Sequence, residues 1–280
     1  MDNARRRYLE QLLELGESDL VLTRGQKADH EPQSSSQTAS PPVVPSPKKA
    51  EADHTAAPVR VKPLAAAPPA PLPAGISVDA PGGGDDLFAA DPLRKIATLD
   101  ELVPMIDACR KCQLGSSRLH SVPGEGDPRA GLVVVGEAPG ATEDETGRPF
   151  VGRAGQLLTE ILKAIHLPRE EVFICNVLKC RPPLNRDPEP LEVSACSPYL
   201  HRQLELIGPR VILAMGRPAA HALLGSNASL NELRGKVHRY RGVPLIVTYH
   251  PAALLRNPHW KRPTWDDVRI ARRIYDGERV

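Results

Sequence analysis

The chain has 280 residues, with 36 lysines and arginines against 34 acids, so a net charge of +2 favours neither nucleic acid nor a membrane surface. Thirty prolines and only 4% aromatic residues mean that part of the chain does not pack into a core. No run of about 18 apolar residues offers a membrane span, the start lacks the apolar stretch of an export signal, and five cysteines then point to reduced thiols or a metal centre in a cytoplasmic protein.

Residues 1–22 carry a short amphipathic pattern from about Ala4 to Leu15, with Tyr8, Leu9, Leu12 and Leu13 at helical spacing. Such a helix either frays or docks on a protein partner. From 23 to 95 the composition turns to Pro, Ala, Ser and Asp, which cannot bury enough apolar surface to offset chain entropy, and a disordered linker is expected. The folded domain is expected over 96–280. Thr98 and Glu101 form a capping box that opens a helix through about Ala108. Strands are then expected at Leu132–Val135, Val172–Cys175, Val211–Ala214 and Leu245–Tyr249. Helices are expected at Ala154–Ile165, Leu191–Leu206, Pro218–Leu224 and Asp266–Asp276. Alternation of this kind predicts an α/β protein, a three-layer α/β/α domain around a central four-stranded parallel sheet.

The stretch from Leu132 to Gly155 is a β-branched run that stops at Gly136, followed by a loop rich in glycine, proline and acid. Ligands in open α/β sheets sit outside the carboxyl ends of the strands, where this loop lies. His250 occupies an equivalent strand end, as does Asn176, so three loops are expected to converge. Leu254 and Leu255 follow His250 on what reads as a loop, where an apolar pair suits a wedge that unstacks bases.

Cys109-x-x-Cys112 lies just past the first domain helix, and Cys180 and Cys196 lie far downstream. Four thiolates suit tetrahedral zinc or an iron–sulfur cluster, and spacing does not choose between them. Cys175 sits within an apolar strand and reads as a small buried hydrophobe.

Together, Gly-Glu-Ala-Pro-Gly with Gly-Arg-Pro-Phe-Val-Gly-Arg-Ala-Gly, Asn176-Val-Leu-Lys-Cys-Arg-Pro-Pro, His250-Pro-Ala-Ala-Leu-Leu-Arg and the four cysteines resemble the family 4, iron–sulfur uracil-DNA glycosylases over about residues 100–278. The resemblance implies a uracil-DNA glycosylase-like fold and a [4Fe–4S] cluster held by Cys109, Cys112, Cys180 and Cys196. It implies a uracil pocket with backbone groups at Gly136, Glu137 and Ala138, Phe150 stacked on the base, Asn176 on its polar edge and His250 on the O2 side. Glu143 matches a position near C5, where it would crowd the methyl of thymine. The reaction implied is flipping of uracil out of single- or double-stranded DNA and hydrolysis of its N-glycosidic bond, leaving an abasic site for base excision repair.

A donor aimed at O2 stabilises the departing base, and His250, as a neutral imidazole, fits that role. Asn176 offers one donor and one acceptor, matching uracil and not cytosine. Glu137 is the nearest carboxylate for placing water, because Ala138 stands where a related branch carries a catalytic aspartate. From Arg234 onward eleven basic residues face four acids, including Arg256 beside the Leu254–Leu255 wedge, a footprint for phosphates. A monomer with no membrane contact is expected. Two rivals remain: a module that holds uracil-DNA without turnover, and a zinc-dependent nucleic-acid-binding scaffold.

Overall fold

A computed structural model describes residues 71–79 and 92–278, all within the unit that starts at Pro63. The expected helix at 4–15 and its docking partner lie outside these residues.

The four expected strands form the centre of the sheet: β3 (Leu132–Gly136), β4 (Phe173–Asn176), β5 (Val211–Met215) and β7 (Val243–Thr248). They run parallel in the order β7-β5-β3-β4. Side chains on a strand alternate between faces, and here each face has its own core. Val133, Val135, Ile212, Ala214, Leu245 and Val247 face one layer; Leu132, Val134, Val211, Leu213 and Ile246 face the other. The first layer contains α1 (Leu99–Asp107), α5 (Pro190–Ile207) and α6 (Arg217–Leu224), and the second contains α4 (Arg153–Ala164) and α9 (Lys261–Tyr275). This is the expected three-layer arrangement.

The sheet has seven strands rather than four. β2 (Glu125–Gly126) adds antiparallel to β4, and β6 (Val237–Tyr240) adds antiparallel to β7. β1 (Ala74–Val78) then pairs parallel with β6. That last strand corrects the linker assigned to 23–95, as does a 3-10 turn at Pro92–Lys95 that buries Leu93. Five residues, Ala-Gly-Ile-Ser-Val, suffice for an edge strand once β6 supplies a ladder, and their signal is diluted by the prolines around them. The Ile76 N–H also donates to His238 Nδ1 at 2.8 Å.

In chain order the central strands run β3, β4, β5, β7, while their spatial order places β5 and β4 on opposite sides of β3. The direction of winding therefore reverses between β3 and β5, which opens a crevice at the carboxyl ends of the strands.

Candidate active site

Gly136 and Asn176 are the last residues of β3 and β4, paired in register, and His250 follows the end of β7. A cleft of about 380 Å³ opens over these three strand ends. It is bordered by six of the seven residues expected to contact uracil: Glu137, Ala138, Glu143, Phe150, Asn176 and His250. Gly136 lies beneath them. A Cβ at this glycine would sit 2.3 Å from Asn176 Oδ1 and 2.5 Å from Phe150 Cζ, so no other residue lets the amide and the ring come together here.

Asn176 is 1% exposed, and its Oδ1 is the only buried side-chain polar atom among the described residues without a hydrogen-bond partner. A buried acceptor left unmet costs about 1–3 kcal/mol, a cost that makes sense where a ligand supplies the donor. Phe150 carries a positive φ of 51°, uncommon for a bulky residue. Arg169 holds it there: Nη1 donates to the Phe150 carbonyl at 2.8 Å, and Nη2 donates to the Pro149 carbonyl. On the other side Glu143 Oε1 accepts from the Val151 and Gly152 N–H groups at 2.9 and 2.8 Å. Glu143 Oε2 accepts from Gly140 at 3.2 Å. The Glu143 carboxylate thus ties the start of α3 (Ala141–Thr146) to the Phe150 turn while bordering the cleft. Helix α3 was not expected inside this loop; its six residues, mostly polar, lack an apolar period.

His250 caps α8 (Pro251–Arg256), with Nδ1 accepting the Ala252 N–H at 3.2 Å. The proton of a neutral ring therefore belongs on Nε2. Burial first, then the Arg256 charge, holds the imidazole pKa down to about 4, with Glu143 opposing weakly. The ring lies 5.4 Å from Phe150 between centroids, tilted by 32°. With a pKa this low the imidazole is neutral near pH 7.

Burial raises the Glu137 pKa, with the Asp187 charge adding to it and Arg217 opposing. Asp187 belongs to a wall of the cleft not singled out from the sequence, made of Pro182, Asn185, Arg186 and Asp187. Arg186 pins that wall through a two-pronged pair with buried Glu192, at 2.9 and 2.6 Å.

The expected wedge needs correction. Leu254 is 1% exposed and tucks inward, because residues 251–256 form a helix that packs on α4 rather than a free loop. Leu255 at 41% exposure and Arg256 face solvent. The basic tract is also less free than its count implied: Arg234 pairs with Asp267 at 2.6 Å, and Arg241, Arg272 and Arg273 have acidic partners too.

Cys109, Cys112, Cys180 and Cys196 line one cavity beside Lys179 and Tyr199. Arg118 Nη1 donates to Cys180 Sγ at 2.9 Å, and the Lys179 N–H donates to Cys196 Sγ at 3.3 Å. Burial pushes the Cys196 thiol up to about 11 and raises Cys180 as well, so ionising them here needs a bound cation. Among the described residues, no three Cys, His, Asp or Glu side chains gather tightly enough for a single ion. Cys175 is fully buried among apolar neighbours, as expected.

Lys179 went unnoticed in the sequence, since a lysine next to a cysteine carries no pattern. It is 1% exposed, and Nζ donates to the Asn176 carbonyl at 2.7 Å and to Gln203 Oε1 at 2.6 Å. One residue thus braces the Asn176 strand end and touches the cysteine site through its own backbone.

A mostly parallel sheet with a cleft at its winding reversal, offering an amide, a neutral imidazole and a phenyl ring, defines a base-recognising α/β protein. Residues 123–270 match the family model described as the uracil DNA glycosylase superfamily. The chain is 46% identical over 186 residues to the type-4 uracil-DNA glycosylase of Sulfurisphaera tokodaii, covering 63% of this chain and 84% of that protein. It is 51% identical over 168 residues to the type-4 uracil-DNA glycosylase of Pyrobaculum aerophilum, covering 57% and 86%. A type-5 uracil-DNA glycosylase from Thermus thermophilus shares 33% over 185 residues, covering 55% and 82%. The chain belongs to the uracil-DNA glycosylase superfamily, and within it to the type-4 family.

Proposed function

We infer that this chain removes uracil from DNA by hydrolysing the N-glycosidic bond, as a hydrolase of base excision repair. The observation that carries the assignment of residues is the orphaned Asn176 Oδ1, buried at the floor of the cleft beside a neutral histidine donor. Uracil presents an N3–H to that oxygen and an O4 acceptor to the amide nitrogen; cytosine presents no N3–H and offers a donor at position 4. Phe150, fixed by Arg169 and Glu143, supplies the face on which the base lies.

The target base must leave the stack at a cost of a few kcal/mol. Breaking the bond leaves positive charge on the sugar and negative charge on the base. His250 Nε2–H, donating to O2, stabilises the departing anion, and its low pKa keeps it from being a permanent cation. Glu137 borders the same cleft and holds a water for attack on the sugar. Glu143, braced by three backbone N–H groups, stands on the C5 side and leaves little room for a methyl group. Leu255 and Arg256 are the exposed remnant of the wedge, placed to meet DNA at the mouth.

Four cysteines on one cavity, in a chain of the type-4 family, support a [4Fe–4S] cluster at this site. The cluster supplies structural cross-linking when bound. Cys109, Cys112, Cys180 and Cys196 would hold it, tying the cleft wall between Cys180 and Cys196 to the Cys109–Cys112 turn. No helix among the described residues is long and apolar enough to cross a membrane.

An oligonucleotide assay tests the reading. Incubation with single- and double-stranded DNA containing one uracil is expected to release free uracil and leave an alkali-labile abasic site. A stable protein–DNA complex with the base retained would instead establish a binding module.

A further inference from the structure

A second concavity adjoins the uracil cleft and shares Glu137, His250 and Ala253 with it. Its remaining wall includes Arg217, Ser229, Asn231, Tyr249 and Trp260. Trp260 stacks on Tyr249 with centroids 4.6 Å apart and planes within 8°. The Arg234 guanidinium lies 4.4 Å from the same Tyr249 centroid. Two groups this close to one centroid cannot share a face, so Tyr249 is sandwiched.

The stack is rigidly mounted. Arg234 is held by Asp267 at 2.6 Å and donates to the Pro263 carbonyl at 2.6 Å; the Tyr249 hydroxyl donates to Asn231 at 2.8 Å. Tyr249 is 8% exposed, yet Trp260, at the end of the stack, is 37% exposed. An indole held flat on a buried ring, open to a cavity one wall away from the uracil cleft, has the form of a stacking platform. Exposed Arg217, His259 and Lys261 surround it, the basic setting that single-stranded nucleic acid favours.

We propose that this concavity is a subsite for the unpaired base of a nucleotide adjoining the flipped uridine, stacked on Trp260, with Arg217 near the intervening phosphate. Every base has a π face, so the subsite tolerates sequence. A paired neighbour is not free to lie on Trp260, so the subsite favours single-stranded or locally opened DNA. This rests on the uracil reading of the adjoining cleft.

The test uses the full chain with Trp265→Phe, which leaves Trp260 as the one remaining tryptophan of two. The probe is a single-stranded oligonucleotide carrying 2′-fluoro-2′-deoxyuridine, whose fluorine destabilises the sugar cation and slows cleavage. Binding is expected to quench Trp260 fluorescence. Replacing one neighbouring nucleotide by an abasic tetrahydrofuran is expected to weaken binding about 5- to 150-fold, the range of one base–aromatic stack. In the otherwise unaltered chain, read by fluorescence anisotropy of a dye-labelled oligonucleotide, Trp260→Ala is expected to show the same loss on the intact oligonucleotide and no further loss on the abasic one. Trp260→Phe retains most of the affinity. In excision assays Trp260→Ala is expected to raise KM on single strands far more than on duplex, with kcat little changed.

Absent quenching, additive losses from the two changes, or equal losses on single and double strands would overturn the subsite. If Trp260→Ala fails to fold, the quenching and the abasic series in the Trp265→Phe chain decide alone. Quenching without any uracil release from an unmodified oligonucleotide would instead sink the excision reading and leave the subsite standing in a module that binds uracil-DNA without turnover.

Discussion

Asn176→Ala separates a recognition residue from a structural one because the two roles predict opposite changes in stability. In the free protein Asn176 Oδ1 is buried without a partner, which costs about 1–3 kcal/mol. The side chain borders the open cleft, so truncation lets water in rather than leaving a sealed void. For a folded unit of this size, each kcal/mol moves the midpoint of thermal unfolding by about 2–4 °C. Lost side-chain contacts offset part of the gain, and the variant is expected to melt between about 0 and 6 °C above the parent. Excision moves the other way. Two hydrogen bonds to the uracil edge at about 1–1.5 kcal/mol each correspond to about 30- to 150-fold in kcat/KM, and the preference for uracil over cytosine collapses. Scanning calorimetry and single-turnover excision on one preparation measure both. A midpoint lowered by more than about 3 °C, or unchanged excision, would refute the assignment.

His250→Ala is expected to slow excision by about 10²- to 10³-fold, the usual cost of one oxyanion donor, with circular dichroism unchanged. With its pKa held down to about 4, the His250 contribution to excision should stay constant from pH 6 to 8; a group that had to be protonated would show a rate falling with rising pH. The sign for stability also follows. An unfolded histidine titrates near 6.5, so between there and 4 the unfolded state binds more protons, and this residue's contribution weakens as pH falls through that window. Chemical denaturation of the parent and of His250→Ala across pH 4–7 measures the difference. Glu143→Ala releases the backbone N–H groups of Gly140, Val151 and Gly152 and is expected to cost about 1.5–3 kcal/mol, read by urea denaturation, while raising KM through a loosened Phe150. Lys179→Met removes donors from the Asn176 carbonyl and Gln203 at once, and is expected to cost about 2–3 kcal/mol and to slow excision although Lys179 itself does not line the cleft. Cys180→Ser is expected to abolish the broad visible absorbance of a bound cluster and to lower the melting temperature; a colourless parent containing zinc would reject the cluster.

Much of the site was legible before the fold was known. The strand ends at Gly136, Asn176 and His250 were marked by β-branched runs that stop at residues suited to a ligand, and the four cysteines declared a shared site by type and number. Less legible were short elements without a period of their own. Residues 141–146 and 251–256 are helices of under two turns whose starts are held by Glu143 and His250 binding backbone. Leu254 read as a wedge because one helical turn in isolation shows no buried side. β1 was hidden for the same reason: its ladder partner lies some 160 residues away.

Sequence alone determined the alternation of strand and helix, the four-strand heart of the sheet and the chemistry available at the strand ends. These follow from local periodicity and residue type, which need no partner to be read. Only the tertiary structure decided what those groups do to one another. It set Nδ1 of His250 against the α8 backbone and its pKa near 4, left Asn176 Oδ1 unpaired, committed one Glu143 oxygen to the Phe150 turn and the other to the start of α3, and placed the Lys179 side chain under Asn176. Burial, register and hydrogen-bond pairing are properties of residues brought together from distant parts of the chain, and no window of sequence contains them.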